Sequence, residues 1–166
     1  PVWSVKELVT VLYGGKRFGN HVDEVWPNLF LGDMAVAHNK AALKKLGITH
    51  VLNAAHAKRG SVGSQNFYGS SVVYCGIPAD DSTHFDLDVY FQPAADFIHK
   101  ALKSPDGKVL VHCAMGLSRS STLVLAYLMI HEGMTLADAI KAVSANRNVS
   151  PNSGFLEQLR ELDKEL

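Results

Sequence analysis

The chain has 166 residues and a mass of 18.0 kDa, which suits one domain and leaves little room for two independent cores. Hydrophobic residues make up 47% and charged residues 19%, a globular balance that argues against a disordered chain. Lys plus Arg numbers 16 and Asp plus Glu numbers 16, so the formal charge is zero; no nucleic-acid binding through a general basic surface is expected, while a local anion site stays open.

The longest strongly apolar run, Leu123 to Ile130, is eight residues and too short to span a bilayer, so no membrane partner is expected. The start, Pro1-Val2-Trp3-Ser4, shows no charged region followed by an apolar one, so no signal peptide is expected. Two cysteines, Cys75 and Cys113, make a disulfide framework improbable and point to a reducing compartment.

In chain order, Ser4 with Glu7 reads as a capping box opening a helix that ends before Gly14-Gly15. Residues 16–24 read as an exposed connection. Leu29-Phe30-Leu31 after Pro27 is a short strand. Asn39 caps a helix running through Leu46 and closed by Gly47. Ile48 to Leu52 is a buried strand, residues 58–70 a loop rich in Gly and Ser, and Val72 to Ile77 the next strand. From Asp86 to Leu102 the apolar spacing is helical, with Pro93 expected to bend or break the helix. Lys108 to His112 is a strand that runs into a turn, Cys113 to Ser118, and then a helix from about Arg119 to His131. This helix is apolar almost all round and should be central. Thr135 with Asp138 opens another helix, and Asn152 opens the last, through Leu159 to about Lys164. The alternation predicts an α/β fold: a single domain with a mostly parallel central sheet flanked by helices on both faces.

The chemistry concentrates in His112-Cys113-Ala114-Met115-Gly116-Leu117-Ser118-Arg119-Ser120. Successive backbone N–H groups between a strand and a helix can converge on an anion, and the helix N-terminus favours negative charge. Gly116 permits the angles of a tight turn. Arg119 can fold back over the same turn and bind two phosphate oxygens at once. Cys113 would lie at its floor, where amides, helix terminus and guanidinium all favour thiolate over thiol. Each part alone has a plain reading: a buried cysteine, a turn glycine, a surface arginine. Together, five fixed positions match by chance roughly once in 10⁶–10⁷ windows.

His-Cys-x-x-Gly-x-x-Arg-Ser resembles the phosphate-loop signature of the cysteine-based protein tyrosine phosphatases. The longer run His112 to Met129 resembles a dual-specificity phosphatase. So do Glu24 to Gly32, Ile48 to Ala55 and Pro151 to Leu159. The resemblance covers nearly the whole chain from residue 21 and is closest to the small, atypical members built of the catalytic domain alone. It implies an N-terminal helix and connection over residues 1–20 and a catalytic domain over 21–166.

The resemblance implies hydrolysis of phosphotyrosine and phosphoserine/phosphothreonine through a phosphocysteine intermediate. It makes Cys113 the nucleophile, with the backbone from Ala114 through Met115, Gly116, Leu117 and Ser118, together with Arg119, binding phosphate. Asp81 falls at the position of the general acid, with Asp80 a neighbour whose charge would favour the protonated form. Ser120 donates to the Cys113 sulfur, and His112 supports the loop and the thiolate by hydrogen bonding. No cofactor is implied. The remaining histidines are scattered, so no metal site is expected. Phosphorylated proteins are the implied partners, mitogen-activated protein kinases among the candidates, in a cytoplasmic or also nuclear signalling setting.

Three rivals share parts of the pattern. Lipid or inositol-phosphate phosphatases tend to carry extra cations in the loop, whereas Ala114, Met115, Leu117 and Ser118 are uncharged. A pseudophosphatase would lack part of the set Cys113, Arg119 and Asp81. A sulfur-transfer or arsenate-reducing enzyme would want a resolving cysteine close in sequence. Cys75 reads as a core residue, with reversible oxidation against Cys113 as the alternative. Arg147 either attracts a second phosphate or acidic residues flanking the substrate site, or meets the dipole of the helix that ends before it.

Overall fold

The computed structural model describes Ser4, Val5 and residues 21–166. The expected N-terminal helix and the connection up to residue 20 fall almost wholly outside the described residues.

Five strands form one sheet in the order β1-β2-β5-β3-β4: β1 Val22–Trp26, β2 Leu29–Gly32, β3 His50–Asn53, β4 Val73–Gly76 and β5 Val109–His112. Strands β2, β5, β3 and β4 run parallel, and β1 is an antiparallel edge. Short apolar runs of alternating orientation explain the layering. Leu29, Leu31, Leu52, Val109 and Val111 point into the larger core, while Phe30, Val51 and Leu110 point into a second, smaller core on the opposite face. The larger core is covered by α4 (Phe91–Lys103), α5 (Arg119–His131), α6 (Leu136–Ser144) and α7 (Ser153–Glu165). The smaller one is covered by α1 (Met34–Ala37), α2 (Lys40–Leu46) and α3 (Gln65–Tyr68).

Several local signals act as read. The side chains of Asn39, Thr135 and Asn152 accept hydrogen bonds from the amides of Ala42, Asp138 and Phe155, and Gly47 closes α2 at φ 77°. Helix α5 buries ten consecutive residues, Ser120 to Met129, beside the sheet. Three details differ. Val22–Trp26 is a strand and not part of a connection; Asp23 and Glu24 hide its alternation. The loop over 58–70 contains the short α3, opened by the Ser64 side chain. The helix expected from Asp86 begins as a 3₁₀ turn, Leu87–Tyr90, and becomes α-helical only at Phe91, so Pro93 falls in the first turn. Amides there have no intrahelical acceptor, so the ring is accommodated without a break.

Strands β2, β5 and β3 end together, with Gly32 and Asn53 in register with His112. The 113–118 turn leaves the sheet at this carboxyl edge, where open α/β sheets place their ligands. It is held by its carbonyls. Ala114 O accepts from the Met34 amide at 3.1 Å and Leu117 O from the Ser150 amide at 2.6 Å. Gly116 O and Met115 O accept from Arg147 Nε and Nη2 at 3.2 and 3.4 Å. Ser118 O accepts from the Thr122 amide and the Ser121 and Thr122 hydroxyls. Arg147 is itself 4% exposed and pairs through Nη1 with Asp23 Oδ2 at 2.9 Å. Neither sequence reading of Arg147 holds: it is a buried brace beneath the turn, where it is shut off from a second phosphate. Gly116 has φ 72°, and a Cβ there would lie 2.6 Å from Arg147 Nη2 and from Gly32 O, so only glycine fits.

Two predictions follow from this packing. Asp23→Ala leaves the Arg147 guanidinium buried without its carboxylate, which should cost about 3 kcal/mol of stability and lower kcat/KM. Asp23→Leu with Arg147→Met should recover stability in denaturant unfolding while kcat/KM stays low, because the turn carbonyls still lack their donors. A double variant with normal kcat/KM would remove the brace from catalysis. The second concerns His112, fully buried on the central strand. Burial pushes its imidazole down to about 4, opposed by the adjacent Cys113 main chain. The folded ring stays neutral while the unfolded chain takes up a proton below about 6.5, so the unfolded state binds more protons in this window. Stability should therefore fall by about 3 kcal/mol as pH drops from 6.5 to 4. Denaturant midpoints across that range check it, and His112→Gln should flatten the slope; an unchanged slope would contradict it.

Candidate active site

Because the five carbonyls from Ala114 to Ser118 turn outward to protein partners, the amides that share those peptide units, Met115 to Arg119, are left to the opposite side. None of these amides donates to a described protein acceptor. They surround a cleft of about 310 Å³ lined by Asp81, Cys113, Ala114, Met115, Leu117, Ser118, Arg119 and Ser150. The concave run of amides at the head of α5 is an anion cradle.

Cys113 lies at its floor, 2% exposed, with Sγ 3.2 Å from the Ser120 hydroxyl in the first turn of α5. Arg119 opens α5. Its Nη1 donates to Ala79 O at 2.9 Å, while Nε is buried and has no hydrogen-bond partner among the described residues. A buried guanidinium N–H without an acceptor is costly unless an anion takes it, and the cleft beside it fits that role.

Asp81 reaches the cleft from the loop after β4. Its Oδ1 accepts from the Ser118 hydroxyl at 2.8 Å and from Asn152 Nδ2 at 2.9 Å, which leaves Oδ2 to carry or release a proton. Asn152 also caps α7 through Oδ1, and its amide donates to Ser118 Oγ at 3.1 Å. One helix cap thereby fixes both the acid and the cradle. Asp80 turns away and pairs with Lys58 at 2.9 Å, so it does not share a site with Asp81.

The sequence-derived set of Cys113, Ala114, Met115, Gly116, Leu117, Ser118, Arg119, Ser120 and Asp81 is brought to one place. His112 is adjacent, and its ring interacts with the Cys113 main chain beside the nucleophile. Both ring nitrogens are buried, and neither makes a well-aligned hydrogen bond to another side chain among the described residues. Cys75 stands on β4 with β3 between it and β5. Two strand spacings are about 9–10 Å, beyond the roughly 7 Å Cα separation a disulfide spans. Burial pushes its thiol up, and it packs as a core residue. Sequence reasoning missed Asp23, Asn152 and the Ala79 carbonyl. Of these, only Asn152 left a signal, as the cap of α7. Among the described residues no group of three or more His, Cys, Asp or Glu could hold a metal ion, and no helix is long and apolar enough to cross a membrane.

Comparison with known proteins agrees with this geometry. Residues 29–165 match the family model of the dual specificity phosphatase catalytic domain. Human dual specificity protein phosphatase 26 is 53% identical over the whole chain, which spans 78% of that protein. Human dual specificity protein phosphatase 13B is 59% identical over 89% of the chain and 75% of its own length. The crystal structure of human DUSP28 superposes with a TM-score of 0.79 at 30% identity, covering 90% of this chain and 97% of that one. With the fold, the cradle and these likenesses in agreement, the chain belongs to the dual-specificity protein phosphatases.

Proposed function

We propose that this phosphatase works through Cys113, with the 115–119 amides and the Arg119 side chain as the phosphate grip, Asp81 as acid and base, and Ser120 as the hydroxyl that stabilises the thiolate. The observation that carries the reading is the outward pinning of five consecutive carbonyls in the turn that follows Cys113. Such a cradle holds the three equatorial oxygens of phosphorus and gains strength as their charge grows in the transition state.

In the first step the Cys113 thiolate attacks phosphorus and the bond to the substrate oxygen breaks. Asp81 gives its proton to that oxygen, so an alcohol or phenol departs and phosphocysteine remains. In the second step Asp81, now a carboxylate, takes a proton from water as the water oxygen bonds to phosphorus. The sulfur–phosphorus bond breaks, inorganic phosphate leaves, and Ser120 donates to the restored thiolate. Ser118 and Asn152 act on Asp81 alone, as positioning residues.

We further propose intracellular signalling phosphoproteins as substrates, mitogen-activated protein kinases among them, in the cytoplasm or also the nucleus. The likeness to dual specificity protein phosphatases supports phosphoprotein substrates. The exposed Met115, 69% accessible at the rim, offers apolar contact that sets no strict side-chain length. Binding and turnover of defined phosphorylated kinases, with Cys113→Ser as the trap, and imaging of the tagged chain test these points.

Two outcomes are expected. Asp81→Asn should slow substrates with poor leaving groups by roughly 10²-fold or more and activated aryl phosphates far less. Ser118→Ala and Asn152→Ala should give smaller losses with the same selectivity. Equal losses across a leaving-group series would remove Asp81 from the role. Matched peptides bearing phosphotyrosine or phosphothreonine should both be hydrolysed, phosphotyrosine faster because phenolate leaves more readily. Activity confined to one of them, or a strong preference for inositol phosphates, would contradict the substrate class.

A further inference from the structure

The chain is neutral as a whole, yet its charge is unevenly placed. From Met34 to Ala79 there is no Asp or Glu, against Lys40, Lys44, Lys45, Lys58 and Arg59; the remainder carries 11 basic and 16 acidic residues. This acid-free segment builds α1, α2, β3, α3 and β4, and so one whole face of the molecule.

A groove of about 460 Å³ opens on that face, lined by Lys40, Leu43, Lys44, Ile48, Tyr68 and Val72 among others. Its floor is apolar and its rim cationic. Lys40 Nζ sits 4.5 Å above the Phe67 ring, which holds it in place. At the far end Lys108 Nζ approaches Gly47, a groove residue, and donates to Leu46 O at 3.4 Å. Among the described residues no carboxylate lines the groove.

Folding accounts for this placement only in part: the Phe67 ring holds Lys40, and Lys44 and Lys45 suit the last turn of α2. Lys40 is the first residue of α2, where the helix dipole disfavours a cation, and Lys44 is one turn on, where like charges repel. A partner carrying negative charge would reverse both penalties. The groove lies beside Ile48 and Val72, which precede β3 and β4, whereas the catalytic cleft opens at the carboxyl ends of the strands. Four-residue strands separate the two by roughly 13 Å, and the two share no lining residue.

We propose that this groove docks an acidic segment of the substrate protein, with an apolar side chain seated between Leu43, Ile48 and Tyr68 and carboxylates on Lys40 and Lys44. The proposal rests on the reading of the chain as a protein phosphatase. A concave apolar floor favours an inserted side chain over a flat membrane, and Tyr68, the one aromatic residue lining it, is buried and leaves little ring face for a nucleobase to stack on.

Fluorescence anisotropy on the full chain tests it with a labelled, unphosphorylated peptide of alternating Glu and Leu. Binding is expected, weakened about tenfold or more by Lys40→Glu with Lys44→Glu. It should also be lost when the peptide's Leu residues are replaced by Ser. Turnover of an aryl phosphate should be unchanged in the variants, which separates failure of docking from failure of the catalytic reading. Fusing the same segment to a phosphopeptide should lower KM at unchanged kcat in the wild type only. Absence of binding, equal binding by the charge-reversed variant, or equal binding of the Ser peptide would overturn the proposal. So would tighter, Lys40-dependent binding to phosphatidylserine vesicles or to single-stranded RNA. A dimer in sedimentation that Lys40→Glu dissolves would assign the groove to a second copy of the chain instead.

Discussion

The site depends on where six residues send their main-chain dipoles. A peptide unit that points its carbonyl one way points its neighbouring amide the other, so the protein makes an anion cradle by securing carbonyls. The securing groups come from distant parts of the chain: the Met34 amide after β2, the Ser150 amide before α7, the hydroxyls of Ser121 and Thr122 in α5, and the buried Arg147 guanidinium. Arg147 needs Asp23 on the edge strand to be tolerated in the interior. The antiparallel β1 is therefore more than a sheet margin, since it supplies the counter-charge beneath the turn. The cradle is thereby preorganised, and little reorganisation is required as charge develops on phosphorus.

The same architecture couples the two halves of the reaction. Arg119 touches the acid loop through Ala79 O and also lines the cleft. Ser118 contributes its amide to the cradle and its hydroxyl to Asp81. Asn152 joins Asp81, Ser118 and the start of α7. An anion drawn toward the amides thus meets an acid already held in place. Substitutions at these bridging residues should couple and not add, because they share partners.

Much of this was legible in the sequence where the signal is local. Alternation and short apolar runs identified β2 to β5, and caps at Asn39, Thr135 and Asn152 marked helix starts. The strand–turn–helix context placed Cys113 and Arg119 on one loop. The resemblance placed Asp81 across from them. What escaped has long-range causes. Asp23 and Arg147 are 124 residues apart, and each alone reads as a surface charge. Strand β1 was hidden because two of its five residues are acidic, one of them committed to that pair. Pro93 misled because a 3₁₀ turn, which no pattern announces, moved the helix start to two residues before it. His112 sits where expected, but burial holds its ring neutral against the Cys113 main chain, a state that follows from packing and not from the motif.

The central claim is that phosphate passes through the sulfur at the floor of the cradle. Acid quenching of the wild-type protein during steady turnover of a phosphotyrosine peptide, followed by proteolysis and mass mapping, tests this most directly. The account predicts a phosphate adduct on Cys113 and on no other residue, formed in Asp81→Asn as well and absent from Cys113→Ser. Turnover with no protein-bound phosphate, or an adduct on another side chain, would contradict it.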